Sequence, residues 1–270
     1  MLRRVFATAA VVVALSSLLT APAEAWGWGR YLALGDSVAF GYRPDAGADY
    51  ANPANFSGYA EKYASLRGLR LANASCPGET TGSMLDVNAP SNGCENGYRK
   101  AFPLHVSYPG AQVGYAVQYL RAHRDTRLVT LTIGANDMFL CQKSTPDHCT
   151  GPDFQVALDQ ASRNLATILA ALRAEYHGDL VLVSYYSLDY RDAAQVAQVK
   201  AIDSALSQVT HRYHGKVADG FTAFLIASLR TGGDPCAAGL LIKLPTGGCD
   251  VHPTAAGHRA LAAALAFAAR

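Results

Sequence analysis

The sequence contains few charged residues, no basic cluster beyond its first residues, and no internal repeat. Charged side chains make up 16% of the 270 residues, and the formal net charge is +2. Such a chain lacks the basic surface that nucleic-acid-binding domains need, so we expect no nucleic-acid partner. The absence of repeats and of low-complexity tracts argues for an ordinary globular domain.

The first 25 residues have the features of a secretory signal peptide. Arg3-Arg4 is basic, residues 5–19 are apolar, and Ala23-Glu24-Ala25 predicts cleavage before Trp26. The apolar segment is shorter than the ~20 residues of a membrane-spanning helix, and the residue directly after the cleavage site is not the cysteine that a lipid anchor needs, so we expect no stable membrane anchor. The segment Arg3-Arg4-Val5-Phe6 also resembles part of a twin-arginine signal, but disulfide formation favours export of an unfolded chain.

All six cysteines lie in the predicted mature domain, residues 26–270, whose length suits one α/β domain. An even number of cysteines in an exported chain predicts three disulfides, for which 15 pairings exist. We expect sequential pairs, because each would close a loop rich in Gly, Pro and Asn: Cys76–Cys94, Cys141–Cys149 and Cys236–Cys249. No Cys-x-x-Cys motif or matching histidine spacing is present, so neither zinc nor another metal is expected.

Short apolar segments alternate with amphipathic segments along the chain. The segments typical of strands are residues 31–34, 69–74, 127–133, 180–184 and 216–218. The segments typical of helices are residues 57–67, 111–123, 154–176, 193–213, 221–229 and the end of the chain from Thr254. This alternation predicts an α/β fold with a parallel sheet covered by helices on both faces, joined by long loops at 86–108 and 231–253.

Residues with catalytic chemistry follow several of these strands, at the edge of the sheet where ligands bind. Ser37 follows the first strand, Gly78 the second and Asn136 the third. His252 lies just before the last helix, next to a proline that restricts it. Each residue also has a structural interpretation, as a helix cap, a turn residue or a buried histidine. Together, however, they offer a nucleophile, a base and donors for an oxyanion.

The order of these residues resembles that of the GDSL or SGNH hydrolases, a broad family of serine esterases and lipases. The four matching blocks are Ala33-Leu34-Gly35-Asp36-Ser37, Gly78, Gly134-Ala135-Asn136-Asp137 and the segment from Asp250 to His258. The resemblance implies a flavodoxin-like three-layer α/β/α fold without a metal or cofactor. It also implies Ser37 as nucleophile, His252 as base, and an oxyanion hole made by the N–H groups of Ser37 and Gly78 and the amide of Asn136.

The acidic partner of the histidine departs from the family pattern. The usual acid lies three residues before the histidine, and that position is Cys249 here. Asp250 is only two residues before His252. Its carboxylate or its backbone carbonyl could accept from Nδ1–H and fix the tautomer of the ring, and both alternatives stay open at this point.

The resemblance implies a secreted monomeric esterase or lipase that acts on acyl esters. A carbohydrate esterase that removes acetyl groups and a phospholipase A are alternatives within the same chemistry, and a non-catalytic binding module is an alternative from another class. The loops at 86–108 and 231–248 would shape an acyl pocket. Their apolar side chains would either line that pocket or belong to the core: Tyr98, Phe102, Leu240, Leu241 and Ile242.

Overall fold

The computed structural model describes residues 29–270. The predicted signal peptide, its cleavage site before Trp26 and the twin-arginine-like segment lie outside the described residues. Among the helices of the described part, none has both the length and the apolar character needed to cross a bilayer.

Five parallel strands form the central sheet, in the order β2-β1-β3-β4-β5. Their bounds are β1 Arg30–Gly35, β2 Arg70–Asn73, β3 Thr126–Thr132, β4 Asp179–Val183 and β5 Lys216–Ala218. All five occur where apolar segments of the sequence predict strands, and all neighbouring pairs are parallel. The predicted α/β class is therefore confirmed.

Helices cover both faces of this sheet and give it two separate cores. Along β1, Leu32 and Leu34 point into one core, while Tyr31 and Ala33 point into the other. The helices are α1 Ser37–Phe40, α2 Tyr59–Arg67, α3 Arg99–Ala101, α4 Gln112–Ala122, α5 Ala135–Ser144, α6 Pro152–Glu175, α7 Ala193–Arg212, α8 Gly220–Ser228 and α9 Ala255–Ala268. The first core is closed by α4, α6 and α7, and the second by α2, α8 and α9.

The strand order creates a switch point beside β1. The chain runs from β1 to its neighbour β2 and then crosses to β3 on the other side of β1. Loops leaving β1 and β3 therefore diverge, and a crevice opens at the carboxyl ends of these strands. Ser37 directly follows β1 and Asn136 follows β3, so the topology brings both residues to this crevice.

Regular structure also occurs in segments where no helix or strand was predicted. The segment after Gly134 forms α5, although its Asn and Asp residues favour turns. The long loop at 231–253 contains an antiparallel ribbon of β6 Leu241–Lys243 and β7 Cys249–Pro253. Short 3₁₀ turns occur at Gly47–Ala51, Pro53–Asn55 and Leu229–Thr231, and a π-helical turn at Cys94–Tyr98. The β6–β7 ribbon was not predicted, because its loop is rich in glycine and proline and its strand pairing depends on tertiary contacts.

The six cysteines form the three sequential disulfides: Cys76–Cys94, Cys141–Cys149 and Cys236–Cys249. The first closes the segment between β2 and α3, and the second joins α5 to the start of α6. The third ties the loop after α8 to the first residue of β7. Each disulfide therefore anchors an irregular segment to a regular element.

Removal of the third disulfide should lower stability. Cys236 and Cys249 are 13 residues apart, and closing a loop of that size contributes about 3 kcal/mol in the chain-entropy account. The Cys236→Ser/Cys249→Ser variant should lose about that free energy of unfolding in urea denaturation. An unchanged denaturation midpoint would contradict the anchoring role of this disulfide.

Candidate active site

Ser37 is the first residue of α1, and the backbone turns sharply between the end of β1 and this helix. Gly35 has φ 123°, and a Cβ there would lie 2.0 Å from the carbonyl oxygen of Thr132 on β3. Only glycine therefore lets the chain leave β1 so close to β3. Asp36 caps α1, because its Oδ1 accepts from the N–H of Val38 at 2.9 Å. The cap is thus Asp36 and not Ser37, which leaves the hydroxyl of Ser37 free for another contact.

The Ser37 hydroxyl contacts the imidazole of His252. Its Oγ lies 2.9 Å from Nε2 of the ring. His252 lies on β7, where the carbonyl of the preceding Val251 accepts from the hydroxyl of Tyr186 at 2.8 Å. The ring of Tyr42 packs edge-on against the imidazole with centroids 4.8 Å apart. These contacts hold the histidine against the serine.

Asp250 contacts the other side of the same imidazole through its carboxylate. Its Oδ1 bonds to Nδ1 of His252 and also accepts from the backbone N–H of His252 at 3.0 Å. Partial burial alone would raise the pKa of Asp250, but its hydrogen bonds and the charge of the imidazole outweigh that effect, so the pKa lies below its ordinary value. An ionised carboxylate on Nδ1 favours the tautomer whose Nε2 lone pair faces Ser37.

Gly78 and Asn136 lie beside Ser37 in the same cavity. Gly78 has φ 84°, and a Cβ there would lie 2.6 Å from the carbonyl oxygen of Asn92. Asn136 is buried in the first turn of α5, and its Oδ1 accepts from the side-chain amide of Asn92 at 2.8 Å. Within residues 29–270, the N–H groups of Ser37 and Gly78 and the Nδ2 of Asn136 donate to no protein acceptor. All three donors are available to a ligand.

The cavity in front of Ser37 has a volume of about 930 Å³ and is lined mainly by apolar side chains. Its apolar walls include Tyr42, Tyr98, Phe102, Met138, Phe154 and Ile202. Tyr98 and Phe102 thus lie where a pocket was expected. Leu240 and Leu241 do not line it, because they are buried in the core beneath α9. Of the two alternatives left open for these leucines, pocket lining or core, the structure has the core, and Ile242 does not line the cavity either.

A family model described as the GDSL-like lipase/acylhydrolase family matches residues 33–260. The chain belongs to this family. The resemblance inferred from the four sequence blocks is therefore confirmed, and membership makes the chain a carboxylic ester hydrolase. In sequence, no curated protein is significantly similar to it.

Several solved hydrolases share the fold. The lipase from a goat rumen metagenome is 15% identical, with a TM-score of 0.60 and coverage of 88% of this chain and 96% of the lipase. The phospholipase A1 of Streptomyces albidoflavus is 20% identical, with a TM-score of 0.55 and coverage of 89% and 99%. The acetylxylan esterase of Geobacillus stearothermophilus is 17% identical, with a TM-score of 0.55 and coverage of 88% and 93%. At these sequence identities, the similarity shows a shared fold and no more.

Buried polar contacts join the start of α1 to α5. The hydroxyl of Tyr185 donates to Oδ2 of Asp36 at 2.5 Å and accepts from the N–H of Ala135 at 3.2 Å. Burial raises the pKa of Asp36 to about 6. One tyrosine therefore connects the segment that carries Ser37 with the helix that carries Asn136.

Asp137 connects the Gly78 loop to the same helix. It lies in the first turn of α5, where its Oδ2 accepts from the N–H of Thr81 at 3.0 Å. Its Oδ1 accepts from the Thr81 hydroxyl at 2.5 Å. Burial raises the pKa of Asp137 to about 6. The carboxyl group thus ties the loop after β2 to the helix after β3.

Glu79 is buried directly after Gly78 and connects its loop to β1. Gln112 donates to Oε2 of Glu79 at 2.9 Å and to the carbonyl of Gly35 at 3.0 Å, while its own oxygen accepts from the N–H of Gly35 at 2.6 Å. Ser83 bonds to the other oxygen of Glu79. Burial raises the pKa of Glu79 to about 8, so the group is mostly protonated at neutral pH.

Glu79 also belongs to the one group in residues 29–270 with the spacing of metal ligands, together with Cys76 and Cys94. The two sulfur atoms are bonded to each other in a disulfide. They are therefore not thiolates, and the group offers a metal a single carboxyl.

The sequence patterns do not reveal the side chains that hold the expected site residues in place. The sequence patterns assign no role to Asn92, Gln112 or Tyr185. Asn92 precedes Gly93, and an Asn-Gly pair is typical of a turn. The pair therefore suggests a backbone role for Asn92 and not a role for its side chain. One sequence feature could have pointed to Asn92: the loop between Cys76 and Cys94 contains many polar residues.

Replacement of Glu79 should change the pH dependence of stability. The folded-state pKa is about 8, against an ordinary value of 4.5. Between these values the folded protein keeps a proton that the unfolded chain has lost, so stability falls as pH rises, by at most ~1.4 kcal/mol per pH unit. Glu79→Gln stays neutral at every pH in this range and keeps a side-chain oxygen that can accept from Gln112.

The variant should therefore gain thermal stability relative to the wild type as pH rises from about 5 to about 8. Thermal unfolding followed by circular dichroism at several pH values measures this difference. If the melting temperatures of the two proteins change with pH in parallel, Glu79 does not titrate in this range.

Proposed function

We propose that this chain is a secreted serine esterase in which Ser37 forms an acyl-enzyme with His252 as general base and Asp250 as the acid that orients it. The observation that carries the proposal is the unbroken line of contacts from Asp250 to Nδ1, and from Nε2 to the Ser37 hydroxyl at 2.9 Å. A nucleophile, a base and an orienting group within hydrogen-bond reach are what this chemistry needs.

In the first half-reaction, Nε2 of His252 takes the proton of Ser37 as the hydroxyl oxygen attacks the ester carbonyl. The negative charge moves to the carbonyl oxygen, where the N–H groups of Ser37 and Gly78 and the Nδ2 of Asn136 would stabilise it. The intermediate then collapses, the bond to the alcohol oxygen breaks, and the imidazolium returns the proton to the leaving alcohol. Asp250 stabilises the imidazolium throughout.

In the second half-reaction, water takes the place of the alcohol. His252 removes a proton from the water as its oxygen attacks the acyl-enzyme. Collapse of the second intermediate releases the carboxylic acid and returns the proton to Ser37. The balance is one ester and one water consumed for one acid and one alcohol.

The shape of the cavity favours an acyl group longer than acetyl. Most of the wall around about 930 Å³ is aromatic and aliphatic and suits a hydrocarbon chain, while Gln142, Lys143, Gln195 and Gln198 give the same cavity a smaller polar part. Acetyl-polysaccharide esterase and phospholipase A activity remain the alternatives, and structural neighbours include an acetylxylan esterase and a phospholipase A1. Rates on p-nitrophenyl esters from acetate to palmitate, on acetylated xylan and on a phospholipid separate the three. Highest kcat/KM on acetylated xylan would contradict the assignment to longer acyl groups.

Secretion is the second part of the proposal. Three disulfides form most readily in an oxidising compartment, and the first 25 residues have the pattern of a signal peptide. Mass spectrometry of protein recovered from culture medium should give an N-terminus at Trp26. An intact Met1 in the medium would contradict cleavage.

Replacement of Ser37 should abolish ester hydrolysis. The Ser37→Ala variant removes the attacking oxygen and keeps the cap on α1, since Asp36 supplies that cap. Ser65→Ala on the exposed side of α2 is the matched control and should keep full activity. Turnover of p-nitrophenyl butyrate measures both. Retained activity in Ser37→Ala would remove this serine as nucleophile, and an inactive wild type on every ester would favour the binding module.

Replacement of Asp250 distinguishes its carboxylate from its backbone carbonyl. In Asp250→Ala the carbonyl stays and the contact to Nδ1 is lost, so kcat should fall, by up to ~10⁴ as for an orienting aspartate in a triad. Asp153→Asn, an exposed carboxylate in the first turn of α6, is the control. Wild-type kcat in Asp250→Ala would show that the carboxylate plays no part in orienting His252.

A further inference from the structure

Asn92 contacts both segments that carry the proposed oxyanion donors. Its backbone N–H donates to the carbonyl of Gly78 at 2.8 Å. Its side-chain Nδ2 donates to Oδ1 of Asn136 at 2.8 Å, across 44 residues of sequence. The backbone of one residue thus holds the Gly78 loop while its side chain holds the Asn136 amide.

Lys143 contacts the other end of the same side chain. Its Nζ donates to Oδ1 of Asn92 at 2.5 Å. Lys143 and Asn136 lie seven residues apart on α5, which is about two helical turns, so both face the Asn92 loop. Three side chains therefore form one chain of hydrogen bonds that ends in the cavity: Lys143, Asn92 and Asn136.

The ammonium fixes the direction of this chain. An ammonium group only donates, so Asn92 must present its oxygen to Lys143 and its nitrogen to Asn136. Asn136 must then present its oxygen to Asn92, which leaves its Nδ2 pointing elsewhere. Without these partners either amide could rotate by half a turn, and a rotated Asn136 would place an oxygen against the developing oxyanion.

Hydrogen bonds in such a chain also strengthen one another. An amide that accepts at its oxygen becomes a better donor at its nitrogen, because charge shifts along the amide group. With an ammonium at its start, the chain increases the positive character of the Asn136 N–H groups. That character matters most when negative charge forms on the substrate, which is in the transition state.

We propose that Asn92 is a positioning residue that sets the orientation and polarity of the Asn136 donor, with Lys143 acting through it. The inference rests on the proposed function of Ser37 and its oxyanion hole. It predicts an effect on kcat and little effect on KM, because the ground-state ester carries little charge on its carbonyl oxygen.

The sharpest test is Asn92→Asp, which keeps the shape of the side chain, its bond to Lys143 and its backbone N–H. A carboxylate cannot donate to Oδ1 of Asn136, so it would attract the Nδ2 instead and remove the donor from the cavity. We expect kcat to fall by ~10²–10³, the usual cost of losing one oxyanion donor, with KM nearly unchanged. Asn96→Asp is the control, because it adds the same charge to an exposed position of the same loop and can still accept from Ser91.

Combined variants separate positioning from a general structural role. If Asn92 acts through Asn136, the Asn92→Asp/Asn136→Ala variant should be no slower than Asn136→Ala alone. If the factors by which the two single substitutions lower kcat multiply in the double variant, the proposal is overturned. Lys143→Met should lower kcat in the wild-type background and not in the Asn92→Asp background, and Lys143→Arg, which keeps a donor, should restore most of the rate.

The outcomes distinguish this inference from the function on which it rests. An inactive wild type, or an active Ser37→Ala variant, would overturn both. An active wild type with equal kcat in Asn92→Asp and Asn96→Asp would overturn only the role of Asn92. If Asn92→Asp fails to fold, the exposed Lys143 decides: a lower kcat in Lys143→Met that Lys143→Arg restores supports the proposal, and wild-type kcat in Lys143→Met overturns it.

Discussion

The hydrogen bond between Ser37 and His252 joins positions 215 residues apart, and the site depends on it. One end lies at the carboxyl end of the central strand β1, which two neighbouring strands hold in place. The other end lies on β7, a short ribbon strand fastened by the disulfide at Cys249 and by the hydroxyl of Tyr186. A hydrogen bond of 2.9 Å is lost if either end moves by much. The disulfide at Cys249 limits such movement of β7.

The proposed oxyanion hole depends on the same requirement for fixed geometry. Three buried carboxyl groups connect the segments around it, and burial raises the pKa of each: Asp36, Glu79 and Asp137. Each carboxyl is hydrogen-bonded to a neighbouring segment, so its burial does not leave it unpaired. Preorganised donors need no rearrangement when charge develops, and this is the main source of stabilisation in such sites.

Sequence patterns predicted the sheet and the expected site residues because both depend on local rules. Apolar segments marked all five strands, and the chemistry at strand ends marked Ser37 and Asn136. Helix α5 was missed because turn-forming residues begin it, and its stability comes from packing against α6. The acid partner stayed ambiguous, since the direction of the Asp250 carboxylate depends on the path of the ribbon. The role of Asn92 depends on a contact across 44 residues, which no local pattern reveals.

In the proposed mechanism, Ser37 is a nucleophile that His252 activates. Labelling with a serine-directed phosphonate, followed by peptide mass mapping, tests it directly, because the reagent forms a stable bond only with an activated serine. We expect one adduct, on Ser37, and strongly reduced labelling in His252→Ala. An adduct on a different serine, equal labelling in His252→Ala, or no adduct at all would contradict it.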